Sequence, residues 1–250
     1  MKRVRDMGTN NKRKRKGAFS PAENRRTLHE NLEFTGKEQY KLLRTNLSFT
    51  LPADQKCPII GMTSSNRGEG KSTTSINLSY VLAESGKRVL LIDADLRVPS
   101  IAKKMEIEST PGLTNLLMGQ DAQDLSIFRS KVLNNWYILP SGELPPNPSE
   151  LLGSRRMAAL LEGLSEKFDY IIIDLPPVNL VSDALAISKL ITGMIVVVRE
   201  DFTEKKDLEQ CYRQLQLTNV KVLGCVMNSA KVGRDSYGDY RDYRRRERSK

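Results

Sequence analysis

Short apolar runs separated by amphipathic stretches organise the chain from residue 57 to residue 228. Runs at 57–64, 88–93, 136–140, 169–174, 194–198 and 221–227 are rich in Val, Ile and Leu and end at polar residues or Pro. Several are almost continuously apolar, as expected of strands covered on both faces. The stretches at about 72–85, 149–166, 182–191 and 203–216 carry helical spacing instead. This alternation predicts an α/β fold with a mostly parallel sheet and helices on both faces, its crossovers right-handed. Ahead of it, residues 36–51 read as a helix with Leu42, Leu43 and Leu47 on one side, stopped by Pro52.

The first strand, containing Ile59 to Met62, feeds the turn Asn66-Arg67-Gly68-Glu69-Gly70-Lys71-Ser72-Thr73, and a helix follows. A glycine-rich turn between a strand and a helix can surround a polyphosphate with backbone N–H groups and the helix N-terminus. Lys71 supplies a point charge for the terminal phosphates, and Ser72 is placed to ligate Mg²⁺. Ser65 stands six residues before the lysine, where the usual pattern has its first glycine. The strand before and the helix after nevertheless identify a nucleotide-binding loop.

Two further strands end in acids. Val89 to Ile92 leads into Asp93-Ala94-Asp95-Leu96-Arg97, and Tyr170 to Ile173 leads into Asp174-Leu175-Pro176-Pro177. In an open α/β sheet, ligands bind beyond the carboxyl ends of the strands, where these acids and the lysine loop converge. Any one of these aspartates could be a strand-end turn residue or a helix cap. Three carboxylates meeting a triphosphate instead imply Mg²⁺, held by Ser72 and phosphate oxygens, with the acids reaching it directly or through its retained waters.

These motifs resemble the bacterial tyrosine kinases that regulate capsule and exopolysaccharide synthesis, within the P-loop NTPase superfamily. The resemblance runs from Glu38 to the C-terminus and includes Pro111-Gly112-Leu113, the segment 142–152 and Ser236 to Tyr243. It implies an ATP- and Mg²⁺-dependent tyrosine autokinase. Lys71, Asp93, Asp95 and Asp174 would be catalytic, with Asp93 accepting or orienting the tyrosine proton. It also implies that Asn228, at the end of the last strand, contacts the adenine edge, although an asparagine at such a turn is as often structural. Partitioning and division-site ATPases share the first motifs but usually carry a second lysine five residues before the loop lysine, and here that residue is Asn66.

The chain carries a net charge of +10, most of it near its ends. Residues 1–26 hold ten Lys/Arg against two Asp/Glu, and residues 231–250 hold eight against four, leaving the centre slightly acidic. The expected organisation is a basic arm over 1–35, a catalytic domain over 36–230 and a basic tail over 231–250. The arm, with Lys12 to Lys16, reads as a solvated tail or as a contact for anionic lipid. Nucleic acid is the less favoured partner. No run approaches transmembrane length and no signal peptide follows the basic start, so the expectation is a cytoplasmic protein. Cys57, Cys211 and Cys225 form no metal-spacing pair, and His29 is the sole histidine.

Tyr237, Tyr240 and Tyr243 recur in a tail rich in Gly, Asp and Arg that cannot build a core. By resemblance they are autophosphorylation sites served by a neighbouring subunit. Alone, such a tail could also stack on single-stranded nucleic acid. Glu38, Lys41 and Arg44 fall within about a 120° arc of one helical face. The family carries Glu-x-x-Arg-x-x-Arg there and uses it to join subunits into a ring, and Lys41 departs from that pattern by lacking the planar fork. The resemblance also implies a membrane-embedded activator that holds the kinase at the inner face of the membrane, and an opposing tyrosine phosphatase. The rival reading is a nucleotide-switched ATPase of the partitioning type, and a module that merely holds nucleotide is a third.

Overall fold

The computed structural model describes residues 34–119, 128–130 and 132–230. The basic arm, His29 and the tail with Tyr237, Tyr240 and Tyr243 lie outside the described residues. The strands are β1 (Ile59–Ser64), β2 (Val89–Asp93), β3 (Phe128–Arg129), β4 (Trp136–Leu139), β5 (Tyr170–Asp174), β6 (Gly193–Arg199) and β7 (Val222–Asn228). They form a seven-stranded sheet in the order β3-β4-β2-β5-β1-β6-β7. Every pairing is parallel except β3 with β4, a two-residue antiparallel edge that the sequence pattern does not announce.

Strand alternation sorts the core into two layers. Val89 and Leu91 of β2, Ile172 of β5 and Ile195 and Val197 of β6 face one side. Leu90 and Ile92, Ile171 and Ile173, and Met194, Val196 and Val198 face the other. Helices α1 (Phe34–Thr50) and α2 (Lys71–Glu84) cover the first face through Leu47, Ile76, Leu78, Val81 and Leu82. Helices α6 (Arg155–Ser165) and α8 (Lys205–Leu217) cover the second through Met157, Leu161, Leu164, Cys211 and Leu215. The α/β fold with helices on both faces is therefore as the sequence pattern predicts.

Several boundaries differ for local reasons. The expected helix over 149–166 is two, α5 (Pro148–Leu152) and α6, because Gly153 ends the first and the Ser154 hydroxyl accepts the Met157 N–H at 3.1 Å to start the second. The expected helix over 182–191 shortens to α7 (Asp183–Ala186) and a 3-10 turn over Ser188–Leu190. Two five-residue helices, α3 (Ile101–Met105) and α4 (Leu113–Leu117), are too short to show periodicity. On α1, Leu47 is buried and Leu43 half-buried, but Leu42 is exposed, so the apolar stripe is narrower than its leucines suggest. Among the described residues, no helix is long and apolar enough to cross a membrane.

Candidate active site

The loop from Ser65 to Gly70 joins β1 to α2, and its shape depends on left-handed backbone at Gly68 (φ 86°) and Gly70 (φ 92°). A Cβ on Gly70 would lie 1.8 Å from the Asn228 amide nitrogen, so glycine is required for both conformation and space. Side chains from remote segments pin the loop. The Asn228 amide donates to the Glu69 carbonyl at 2.9 Å, and the Arg199 guanidinium donates to the Gly68 carbonyl at 3.1 Å. The Glu69 carboxylate is buried, accepting the Asn66 N–H at 3.0 Å and the Thr203 hydroxyl at 2.7 Å. The Asn66 side chain turns away to α8 and donates to Asp207 at 2.7 Å.

The acids lie beside the start of α2. Lys71 Nζ is 2.8 Å from Asp95 Oδ2, 3.4 Å from Asp174 Oδ2 and 3.3 Å from the Ser72 hydroxyl. One turn further along α2, the Ser75 hydroxyl donates to Asp174 Oδ1 at 3.0 Å. Asp93 is the register partner of Asp174 on the neighbouring strand. Its Oδ2 accepts the N–H groups of Ser100 at 3.1 Å and Ile101 at 2.9 Å, while Oδ1 is buried with no hydrogen-bond partner.

Burial and charge set the proton affinities. Burial, reinforced by the charge of Asp174, pushes the Asp93 carboxyl up to about 7, and burial likewise raises Asp174 against the opposing pull of Lys71. Burial alone would lower Lys71, but the carboxylates of Asp174 and Asp95 outweigh it and hold the ammonium above the ordinary lysine value.

The structure thus brings together Lys71, Ser72, Asp93, Asp95 and Asp174. Thr73 lies half-buried on the first turn of α2, and Arg67 is exposed in the loop. Asn228 reaches the loop, but its amide is engaged: Nδ2 holds the Glu69 carbonyl and Oδ1 accepts the Ser229 N–H at 2.9 Å. Away from the site, Glu38 and Lys41 pair with each other at 3.0 Å, and Arg44 donates to the Val81 carbonyl at 2.7 Å, fastening α1 to the end of α2.

Hard oxygen donors from Ser72, Asp95 and Asp174 suit Mg²⁺, and the buried, unpartnered Oδ1 of Asp93 marks polar capacity that the protein itself leaves unused. Among the described residues, no group of His, Cys, Asp and Glu forms a self-sufficient metal cage.

The sequence reading missed several supports. Ser75 is one turn beyond Lys71 and could be found from helical spacing. Thr203, Arg199 and Asp207 could not, being over 100 residues from the loop they brace. Arg97 is also held: it forms a two-bond fork with buried Asp183 at 2.8 and 3.0 Å, and Ser149 donates to the same carboxylate. Gly112, in Pro111-Gly112-Leu113, and Gly142, at the start of segment 142–152, meet backbone to backbone. A Cβ on Gly112 would lie 2.3 Å from the Gly142 nitrogen.

Residues 57–227 match the family described as AAA domain. The tyrosine-protein kinase YwqD of Bacillus subtilis (strain 168) is 38% identical over 204 residues, covering 81% of this chain and 85% of the relative. Among solved structures, the chimerical protein CapA2B2 aligns with a TM-score of 0.73 at 34% identity, covering 78% of this chain and 85% of that one. The kinase domain of Escherichia coli tyrosine kinase ETK aligns at 0.71 and 30% identity, covering 79% and 78%. With the loop, the paired acids and the sheet order in place, these likenesses show that the chain belongs to the bacterial tyrosine kinases of the P-loop NTPase superfamily.

Proposed function

We propose that this protein-tyrosine kinase moves the γ-phosphoryl group of ATP to Tyr237, Tyr240 and Tyr243 of a neighbouring copy, and so regulates capsular or exopolysaccharide synthesis and export. The observation that carries the reading is the acid pair at the ends of β2 and β5. Asp95 and Asp174 face Lys71, while Asp93 keeps one carboxylate oxygen unpartnered. Lys71 and the loop N–H groups bind the β and γ phosphates. Mg²⁺ held by Ser72, Asp95 and Asp174 would neutralise charge developing on the phosphates. Asp93 accepts the tyrosine proton at Oδ1 as the new oxygen–phosphorus bond forms and the bond to the β-phosphate oxygen breaks.

In this reading residues 36–230 are the catalytic unit, 1–35 a basic arm that meets anionic lipid, and 231–250 the substrate tail. Glu38, Lys41 and Arg44 exchange their intramolecular partners for a second copy's surface when subunits close into a ring, and tail phosphorylation opens it. A membrane-embedded activator, the polysaccharide co-polymerase, holds the kinase at the inner face of the membrane, and a tyrosine phosphatase resets it. Whether Asn228 also meets adenine depends on its amide leaving the Glu69 carbonyl. The rival, a nucleotide switch of the partitioning type, is disfavoured by Asn66, whose side chain is spent on Asp207.

Mixing two full-length chains tests the reading. One carries Lys71→Met, and the other is active with its three tail tyrosines replaced by Phe. Phosphate on the tail of the Lys71→Met chain, located by mass spectrometry, is the expected result. Brisk ATP hydrolysis with no phosphotyrosine would favour the switch.

A further inference from the structure

The tyrosine-bearing stretch 235–243 places an acid just before each acceptor: Asp235 two residues before Tyr237, Asp239 before Tyr240 and Asp242 before Tyr243. Against these three aspartates it carries one arginine, Arg241, and the tail's basic residues concentrate after Tyr243. An acceptor tyrosine therefore brings negative charge toward a site that already holds Asp93, Asp95 and Asp174. Like charges brought together in a partly dry site repel, so productive docking needs a cation outside the acid cluster.

The cations around the strand ends are mostly committed. Lys71 is held by Asp95 and Asp174. Arg97 is locked in its fork with Asp183. Arg199 donates to the Gly68 carbonyl and lies over the Phe202 ring at 5.3 Å. Arg67 differs: it is exposed in the phosphate loop and has neither hydrogen bond nor ion pair among the described residues. Its neighbours on both sides are fixed, Asn66 by Asp207 and Gly68 by Arg199, so the loop presents Arg67 from a rigid base. Beside it, exposed Phe202 comes within 3.6 Å of where a Gly68 Cβ would be. Exposed Val98 and Leu180 follow β2 and β5 in sequence beyond the same carboxyl ends of the sheet, so apolar surface for a tyrosine ring is available at that end.

We propose that Arg67 is a specificity residue that pairs with the aspartate one or two residues N-terminal to the acceptor tyrosine, so that the kinase selects acidic-then-tyrosine segments. The inference rests on the proposed transfer to the tail of a second copy. It adds which feature of that tail is read and which side chain reads it. Arginine suits the role because its fork pairs with a carboxylate through two bonds.

The test compares two full-length acceptors, both inactivated by Lys71→Met. One has the natural tail, and the other carries Asp235→Lys, Asp239→Lys and Asp242→Lys. The donor is active full-length kinase with its tail tyrosines changed to Phe, bearing either Arg67 or Arg67→Glu. The readout is the ratio of kcat/KM for the two acceptors, which cancels any effect of residue 67 on nucleotide binding. With Arg67 the natural tail should be preferred roughly two- to fivefold, the scale of a partly exposed ion pair. Arg67→Gln, which keeps polarity but not charge, should bring the ratio to unity or below, and Arg67→Glu should carry it further toward the lysine-substituted tail. The same ratio for all three donors would overturn the role of Arg67. An absence of transfer from the Arg67 donor to either acceptor would overturn transfer in trans itself, and this inference with it.

Discussion

The phosphate loop and the acid cluster meet at the start of α2, yet they are held by different forces. The loop is fixed in shape by hydrogen bonds from residues remote in sequence: Thr203 and Asn66 on the buried Glu69, Arg199 on the Gly68 carbonyl and Asn228 on the Glu69 carbonyl. The cluster is fixed by register, since adjacent parallel strands bring Asp93 beside Asp174, and by a lysine among carboxylates. Shape can be lost in small steps, one bond at a time. Buried charge is lost abruptly, because removing one partner leaves the others uncompensated.

The largest expected effect is therefore at Lys71. Lys71→Met should abolish tyrosine phosphorylation, read by phosphotyrosine mass spectrometry. It should also lower the stability of the nucleotide-free protein, because Asp95 and Asp174 lose their counter-charge. About 3 kcal/mol, the low end of the range for breaking a buried pair, is expected, measurable by denaturant titration. Wild-type stability would sink the idea that the cluster is held by charge. Next comes Gly70→Ala, which places a methyl against the Asn228 amide in a backbone conformation that L residues rarely adopt. The loop must reshape, and ATP affinity should fall by roughly ten- to a hundredfold, the scale of 1–3 kcal/mol of backbone strain. Calorimetric titration with ATP checks it, and unchanged affinity would mean that loop shape matters less than argued.

The same contrast explains what could be read from sequence. Asp93, Asp95 and Asp174 announce themselves because each ends or closely follows an apolar run, Lys71 because it follows a glycine-rich turn, and strand direction carries them to one edge. The paired glycines announce the loop. What holds the loop is hidden, since Thr203 and Asp207 lie in an ordinary polar stretch and nothing local marks them as partners of Glu69 and Asn66. The short helices α3 and α4 and the edge strand β3 are likewise too brief for periodicity to register. Asn228 illustrates the boundary: its place at the end of the last strand is legible, but its grip on the Glu69 carbonyl requires knowing the crossing of β7 past the loop.

A third prediction concerns charge without contact loss. Asp93 has a folded carboxyl pKa of about 7, raised by burial and by Asp174 from an ordinary value near 3.8. An acid raised in this way contributes stability that is present at low pH and is lost as pH climbs from about 4 to about 7. Asp93→Asn keeps an oxygen for the Ser100 and Ile101 N–H groups but cannot ionise. In chelator and without nucleotide, the variant's melting temperature should exceed the wild type's by more at pH 8 than at pH 5. An equal difference at both values would remove the buried-acid account of Asp93. In the presence of Mg²⁺ and ATP, the same variant should lose transfer more than it loses nucleotide affinity.

The smallest effect is expected where shape, not charge, is at stake. Thr203→Val retains the side chain's volume and branching but removes the hydroxyl that donates to Glu69 Oε1 at 2.7 Å. The buried carboxylate keeps its Asn66 N–H partner, and although the Arg199 N–H also loses the hydroxyl it donates to at 2.8 Å, the Arg199 guanidinium still holds the Gly68 carbonyl. A hydrogen bond to a charged group is worth about 1.5–3 kcal/mol, of which relaxation of the neighbouring bonds should recover part. KM for ATP should rise several-fold with kcat little changed, because Thr203 touches no reacting atom and only narrows the range of loop shapes that bind phosphate. Thr203→Ser restores the donor and should restore KM, which a loss of packing alone would not allow. A fall in kcat as large as the rise in KM would place Thr203 with the acids rather than with the loop, and the division between shape and charge would fail at the one residue chosen to probe it.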